Sequence, residues 1–240
     1  MKIRLFTIPN LLTLGNLLCG SAAAVLTLVH GNLTAAFWLI IVAVICDFLD
    51  GFAARLLGQS SPMGVELDSL ADMVTSGFAP AAIMMVMYAD AGQWFDWSAT
   101  AVSIGYFLPL SIAAFSALRL ARFNIDDTQH TEFRGLPTPA NALLCASLGM
   151  LSSAGLVDMP REAIVVFSLV MSYLLVCPVR MFSLKFSGFG WKGNGLRYVF
   201  IVLSLCMIIV DYKYSIAAII VLYIAISIVR WLVTRNKSVD

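Results

Sequence analysis

The chain has 240 residues, 60% of them hydrophobic and 12% charged, with a net charge of +1 and a mean hydropathy of +0.91. A soluble domain carries about 25% charged and roughly 45–50% apolar residues, so this composition excludes an ordinary soluble fold. The apolar residues recur along the whole chain in blocks of about 20, which is what a helix needs to cross the hydrocarbon core.

Eight spans are predicted, at residues 10–29, 33–56, 69–88, 99–121, 138–156, 162–179, 197–210 and 214–233. They define an all-α, polytopic membrane helical bundle forming one domain over residues 1–240. The first block runs on past any small-residue cleavage pattern, so no removable signal peptide is expected. Orientation follows from Lys and Arg in the short connections. With the N-terminus inside, the cytoplasmic side collects Lys2, Arg4, Arg55, Arg119, Arg122, Arg134, Arg180, Lys185, Lys192, Arg197, Arg230, Arg235 and Lys237, thirteen in all. The opposite side holds two, Arg161 and Lys213. Both termini are therefore expected in the cytoplasm. The longest cytoplasmic connections are 122–137 and 181–195, the second suited by its Gly, aromatic and Lys residues to the lipid interface. Trp94, Trp97 and Trp231 read as interfacial anchors. The five cysteines are far apart in apolar runs and read as small buried side chains without disulfides. His30 and His130 have no neighbour in a metal-site spacing. A nucleic-acid partner is not expected.

Asp47, Asp50, Asp68 and Asp72 are anomalous, because ionised groups in a membrane domain are costly and usually face a polar cavity with a function. At about 100° per residue, Asp47, Asp50, Gly51 and Ala54 share one helix face, as do Gly64, Asp68 and Asp72. A turn around 58–62 returns the third helix beside the second, so four carboxylates converge near the cytoplasmic surface. Arg55 alone does not offset them. All-oxygen ligands suit Mg²⁺, Mn²⁺ or Ca²⁺, and two divalent ions would neutralise the cluster and orient a phosphate ester. The alternative is a set of carboxylates paired with arginines from other helices. Gly51 and Gly64 leave room for a bulky ligand.

The segment DFLDGFAARLLGQSSPMGVELDSLAD, residues 47–72, resembles the motif DxxDGxxARx8GxxxDxxxD of the CDP-alcohol phosphotransferase family. Asp47, Asp50, Gly51, Ala54, Arg55, Gly64, Asp68 and Asp72 match every fixed position. The resemblance implies that the first three aspartates bind two divalent ions, Mg²⁺ or Mn²⁺, and that Asp72 completes the metal site and acts as general base. It implies that Arg55 contacts a diphosphate and that Gly51 and Gly64 make room for the cytidine nucleotide. Three further stretches, at 8–20, 66–81 and within 117–142, are similar to membrane-integral bacterial phosphatidylserine synthases. They imply CDP-diacylglycerol and L-serine as substrates, and phosphatidylserine and CMP as products. The resemblance also implies a homodimer, membrane lipid as a partner, and a bacterial inner-membrane enzyme with its site facing the cytoplasm.

Asn10, Thr13 and Asn16 on the first helix would line the nucleotide pocket, or Asn10 would simply cap that helix after Pro9. Serine carries a carboxylate, so its pocket needs a cation. Arg119, Arg122 and Arg134 are the candidates, each of which would otherwise be a positive-inside anchor. Two rival functions remain at this point. One is another family member using glycerol 3-phosphate, inositol phosphate or choline. The other is a carboxylate-lined cation transporter, whose charges would lie at several depths.

Overall fold

A computed structural model describes residues 5–126, 133–182, 190 and 194–236. Each end of the first hairpin is set by local chemistry. Thr7 caps α1 (Ile8–His30), and Gly31 closes it in the left-handed conformation, with φ of 60°. Asn32 then caps α2 (Leu33–Leu56) through the Ala35 amide. The second connection is equally determined. Gly58 takes φ of 62°, and the Gln59 amide returns to the Ala54 carbonyl at 2.9 Å, the signature of a glycine-terminated helix. Ser61 accepts from the Gly64 amide at 3.1 Å, and Pro62 opens α3 (Pro62–Asp72). These few residues fold the second and third spans against each other.

The third span starts at Pro62, seven residues before its predicted start at 69, because a helix begins where its cap is rather than where hydropathy rises. It continues through a π-helical turn (Met73–Phe78) into α4 (Ala79–Asp90). Pro80 explains the wide turn: it has no N–H to offer the preceding turn, and its ring displaces the carbonyl there. This rod, Pro62–Asp90, is the most buried of the long apolar helices. Its residues Ile83, Met84, Met87 and Tyr88 form the core with Phe37 and Ile40 of α2.

A break at Leu108–Pro109 separates α5 (Ala99–Phe107) from α6 (Leu110–Ile125). The bundle is completed by α7 (Thr138–Ser153), α8 (Arg161–Val176), α9 (Gly195–Val210) and α10 (Tyr212–Asn236). A two-residue strand, β1 (Phe133–Arg134), pairs antiparallel with β2 (Arg180–Met181) and ties the chain ahead of α7 to the end of α8. Among the described residues the helices thus form eight rods, matching the predicted all-α bundle. Five are long and apolar enough to cross a membrane, and α7, α8 and α9 have 16 residues each. Large apolar side chains such as Phe48, Leu118, Ile209 and Val210 are exposed on the outside, as expected where lipid is the solvent.

At the end away from the N-terminus, the Glu162 carboxylate accepts from the Trp94 and Phe95 amides and from Trp97 Nε1 at 2.8 Å. Arg161 donates to the Tyr88 and Ala89 carbonyls. The five cysteines are free, as expected, but only Cys145 and Cys177 are buried; Cys206 faces outward on peripheral α9. His130, Lys2, Arg4, Lys185, Lys192 and Lys237 lie outside the described residues, as do most of 181–195 and part of 122–137.

Candidate active site

Asp47 and Asp50 stand one turn apart near the C-terminal end of α2, and Asp68 and Asp72 one turn apart on α3. The capped turn between the helices brings Asp47, Asp50 and Asp68 together, with ligand oxygens within 4.8 Å of one another. The carboxyl groups of Asp47 and Asp68 lie at hydrogen-bond distance. The charged groups acting on Asp47 are the other three carboxylates, whereas Asp72, one turn deeper, also feels Arg119 of α6. Thr13 of α1 donates its hydroxyl to Asp50. Oδ1 of Asp68 is buried and has no hydrogen-bond partner. Three convergent carboxylates with an unclaimed oxygen fit a hard divalent cation.

Beside the triad lies an open cavity of about 190 Å³. Asn10 and Thr13 of the first helix and Gly51, Ala54, Arg55 and Gly64 of the motif line it. A Cβ added at Gly64 would meet only ordinary contacts, 3.4 Å from Ser61 Oγ and 3.5 Å from Asn10 Oδ1. The backbone does not demand glycine there; cavity space does. Asn10 is not the cap of α1. Thr7 is, and the Asn10 side chain instead donates to the Leu5 carbonyl. Gln59, Ser60 and Ser61 also line the cavity. They fall in the variable gap of the motif, where the only sequence signal is the cap of α3.

Asn16 is the exception. It is fully buried and does not line the cavity; its Nδ2 donates to Asp72 Oδ1 at 3.2 Å. Asp72 lies one turn beyond Asp68 and outside the close triad. Arg119 of α6 is within electrostatic reach of Asp72, and its guanidinium donates to Thr138 Oγ1 of α7 at 3.2 Å. Of the three arginines named from sequence, only Arg119 is buried; Arg122 and Arg134 are exposed.

The fold and site define an integral membrane protein with an acidic centre and an adjoining polar cavity at the end of the bundle where the chain begins. The profile of the CDP-alcohol phosphatidyltransferase family matches residues 6–179, more than half of the chain, and the protein belongs to that family. It is 29% identical over 239 residues to a Helicobacter pylori protein named CDP-diacylglycerol–serine O-phosphatidyltransferase, covering 98% of this chain and 95% of that one. A Bacillus subtilis protein of the same name is 39% identical over 132 residues, 55% of this chain and 69% of the relative. A third, from Methanocaldococcus jannaschii, is 28% identical over 229 residues, covering 95% and 96% of the two chains.

Proposed function

We propose that this protein transfers the phosphatidyl group of CDP-diacylglycerol to L-serine, giving phosphatidylserine and CMP. The observation that carries the reading is the pairing of the Asp47, Asp50 and Asp68 triad with the cavity holding Arg55, with Asp72 one turn deeper. The relatives' shared name supports serine as the acceptor.

Asp47, Asp50 and Asp68, with Asp72, are the residues that would hold two Mg²⁺ or Mn²⁺ ions. Bound there, the ions supply charge neutralisation and polarisation of the phosphoryl oxygens. Arg55 sits on the cavity wall, where its guanidinium binds the diphosphate in a two-pronged geometry. Gly51, Ala54 and Gly64 leave the space that the nucleotide occupies, with Asn10 and Thr13 as polar lining. Asp72 accepts the proton of the serine hydroxyl while that oxygen bonds to phosphorus and the bond to the CMP oxygen breaks. Asn16 holds Asp72 in place. Arg119 faces the serine carboxylate, and Arg122 and Arg134 stand nearer the surface, where their charge attracts the anionic lipid substrate. The acyl chains stay in the surrounding lipid.

The excess of basic residues on the connections at this end supports a cytoplasmic site in a bacterial inner membrane. Residues 1–240 act as a single catalytic domain, in a homodimer. Asp47, Asp50, Asp68 and Asp72 gather at one end of the bundle, which favours an enzyme over a cation pathway with charges at several depths. The test is CMP release from CDP-diacylglycerol with serine, glycerol 3-phosphate, inositol phosphate or choline. Serine alone should support it, excess EDTA should abolish it, and Mg²⁺ or Mn²⁺ should restore it. Turnover with glycerol 3-phosphate but not serine overturns the acceptor, and full activity in EDTA overturns the metal site.

A further inference from the structure

Outside the triad and the nucleotide cavity, five buried polar atoms among the described residues have no hydrogen-bond partner. One is Oγ1 of Thr27, near the far end of α1; the other four are Nε of Arg119, Nδ2 of Asn141, Oδ1 of Asn16 and Oγ of Ser116. Asn16, Ser116 and Asn141 are fully buried and Arg119 is 8% exposed. Folded proteins rarely leave such groups unmatched. Ser116 is telling, because Ser147, Ser168, Ser172 and Ser227 all return their hydroxyls to carbonyls of their own helices. Ser116 does not.

Two of these four residues meet at Asp72, and helical spacing sets Ser116 one turn from Arg119 and Asn141 one turn from its partner Thr138. Asn16 bonds Asp72, and Arg119 acts on Asp72 from α6. Ser116 lies one turn before Arg119, on the same face. It packs against Gly77 of the π-helical turn just after Asp72, where an added Cβ would come within 3.1 Å of Ser116 Cβ. Arg119 bonds Thr138, and Asn141 lies one turn after Thr138 on α7.

Their chemistry is matched to one kind of ligand. Arg119 Nε and Asn141 Nδ2 are donors, Asn16 Oδ1 accepts, and the Ser116 hydroxyl can accept as well as donate. An α-amino acid presents a carboxylate, which only accepts, and an ammonium, which only donates. We propose that Asn16, Ser116, Arg119 and Asn141 form the acceptor subsite and select an α-amino-acid zwitterion. Arg119 and Asn141 donate to the carboxylate, Asn16 and Ser116 accept from the ammonium, and the acceptor hydroxyl points to Asp72. A phosphorylated acceptor would bring extra negative charge against Asn16 Oδ1 and the Asp72 carboxylate, with one arginine to offset it. This inference rests on the serine-transferase reading and adds two residues, Ser116 and Asn141, that lie outside the motif of residues 47–72.

The test uses purified full-length enzyme in mixed micelles, with CMP release followed for L-serine, ethanolamine (no carboxylate) and 3-hydroxypropionate (no ammonium). Ser116→Ala should raise the serine KM about tenfold or more, the effect of losing a hydrogen bond to a charged group. It should narrow the preference for serine over 3-hydroxypropionate and leave that over ethanolamine in place. Asn141→Leu should raise the serine KM similarly and narrow only the preference over ethanolamine. Asn141→Asp, nearly the same shape, should do so even if the leucine variant does not fold. The KM for CDP-diacylglycerol should stay at the parent value in each. Folded variants that keep the parent's serine KM and acceptor ranking, or that lower all acceptors equally, overturn the subsite. A parent enzyme that uses serine in that experiment leaves the proposed function standing. A parent that uses glycerol 3-phosphate and ignores serine removes both.

Discussion

Gly20→Ala should damage catalysis from outside the nucleotide cavity. A Cβ at Gly20 would lie 2.2 Å from Thr75 Oγ1 and 2.7 Å from Thr75 Cα. The hydroxyl can rotate away, giving up its 3.2 Å bond to the Asn16 carbonyl. The Cα is backbone and cannot. Carbon atoms settle near 3.5 Å, so α1 and the π-helical turn must separate by about 0.8 Å. Asn16 lies one turn before Gly20 and holds Asp72 at 3.2 Å, already at the long end of the N–H···O range. That separation breaks the bond and moves Asp72 relative to the triad. Overpacking of this kind costs about 1–3 kcal/mol of stability. A misplacement near 1 Å at the reacting groups costs about 10²-fold in rate. CMP release at saturating substrates should fall by about that factor, while the KM for CDP-diacylglycerol changes little. Melting temperature in the same detergent separates the rate effect from unfolding. A folded alanine variant with parental turnover would refute the link between Gly20 packing and Asp72.

Asp72→Asn keeps the shape and removes the base, so turnover should drop at least about 10²-fold with CDP-diacylglycerol affinity retained, as read by KM and nucleotide binding. Gly64→Val should fold normally, because the position has ordinary space and no left-handed backbone. Its side chain enters the cavity, and the KM for CDP-diacylglycerol should rise about tenfold or more; an unchanged KM would move the nucleotide elsewhere. Arg119→Lys loses the paired donors that suit a carboxylate, so the serine KM should rise roughly 10- to 150-fold. The same change at exposed Arg122 should have little effect on it.

Much of the site was legible because its geometry is local. Asp47 and Asp50 share a helix face through the 3.6-residue period, as do Gly64, Asp68 and Asp72, and Gly58, Ser61 and Pro62 announce the turn joining the two helices. The triad follows from those facts. The third helix starts earlier than hydropathy predicts, because hydropathy rises later than the Ser61 cap. Of the two roles open to Asn10, cavity lining and helix cap, the first holds in the structure, because Thr7, before the proline, has the accepting side chain.

The sequence by itself determined the membrane class, the eight helical rods and the acidic centre, because hydrophobic length and helical period act within single segments. Only the tertiary structure decided that Asn16 serves Asp72 rather than the nucleotide cavity. It alone separated buried Arg119 from exposed Arg122 and Arg134, and set Arg119 against Thr138 of α7. Most of these helices are apolar all round, so periodicity does not tell which face turns inward. The rotation of each helix is set by how its side chains pack against neighbours far away in sequence, as at Gly20 against Thr75 and Gly77 against Ser116.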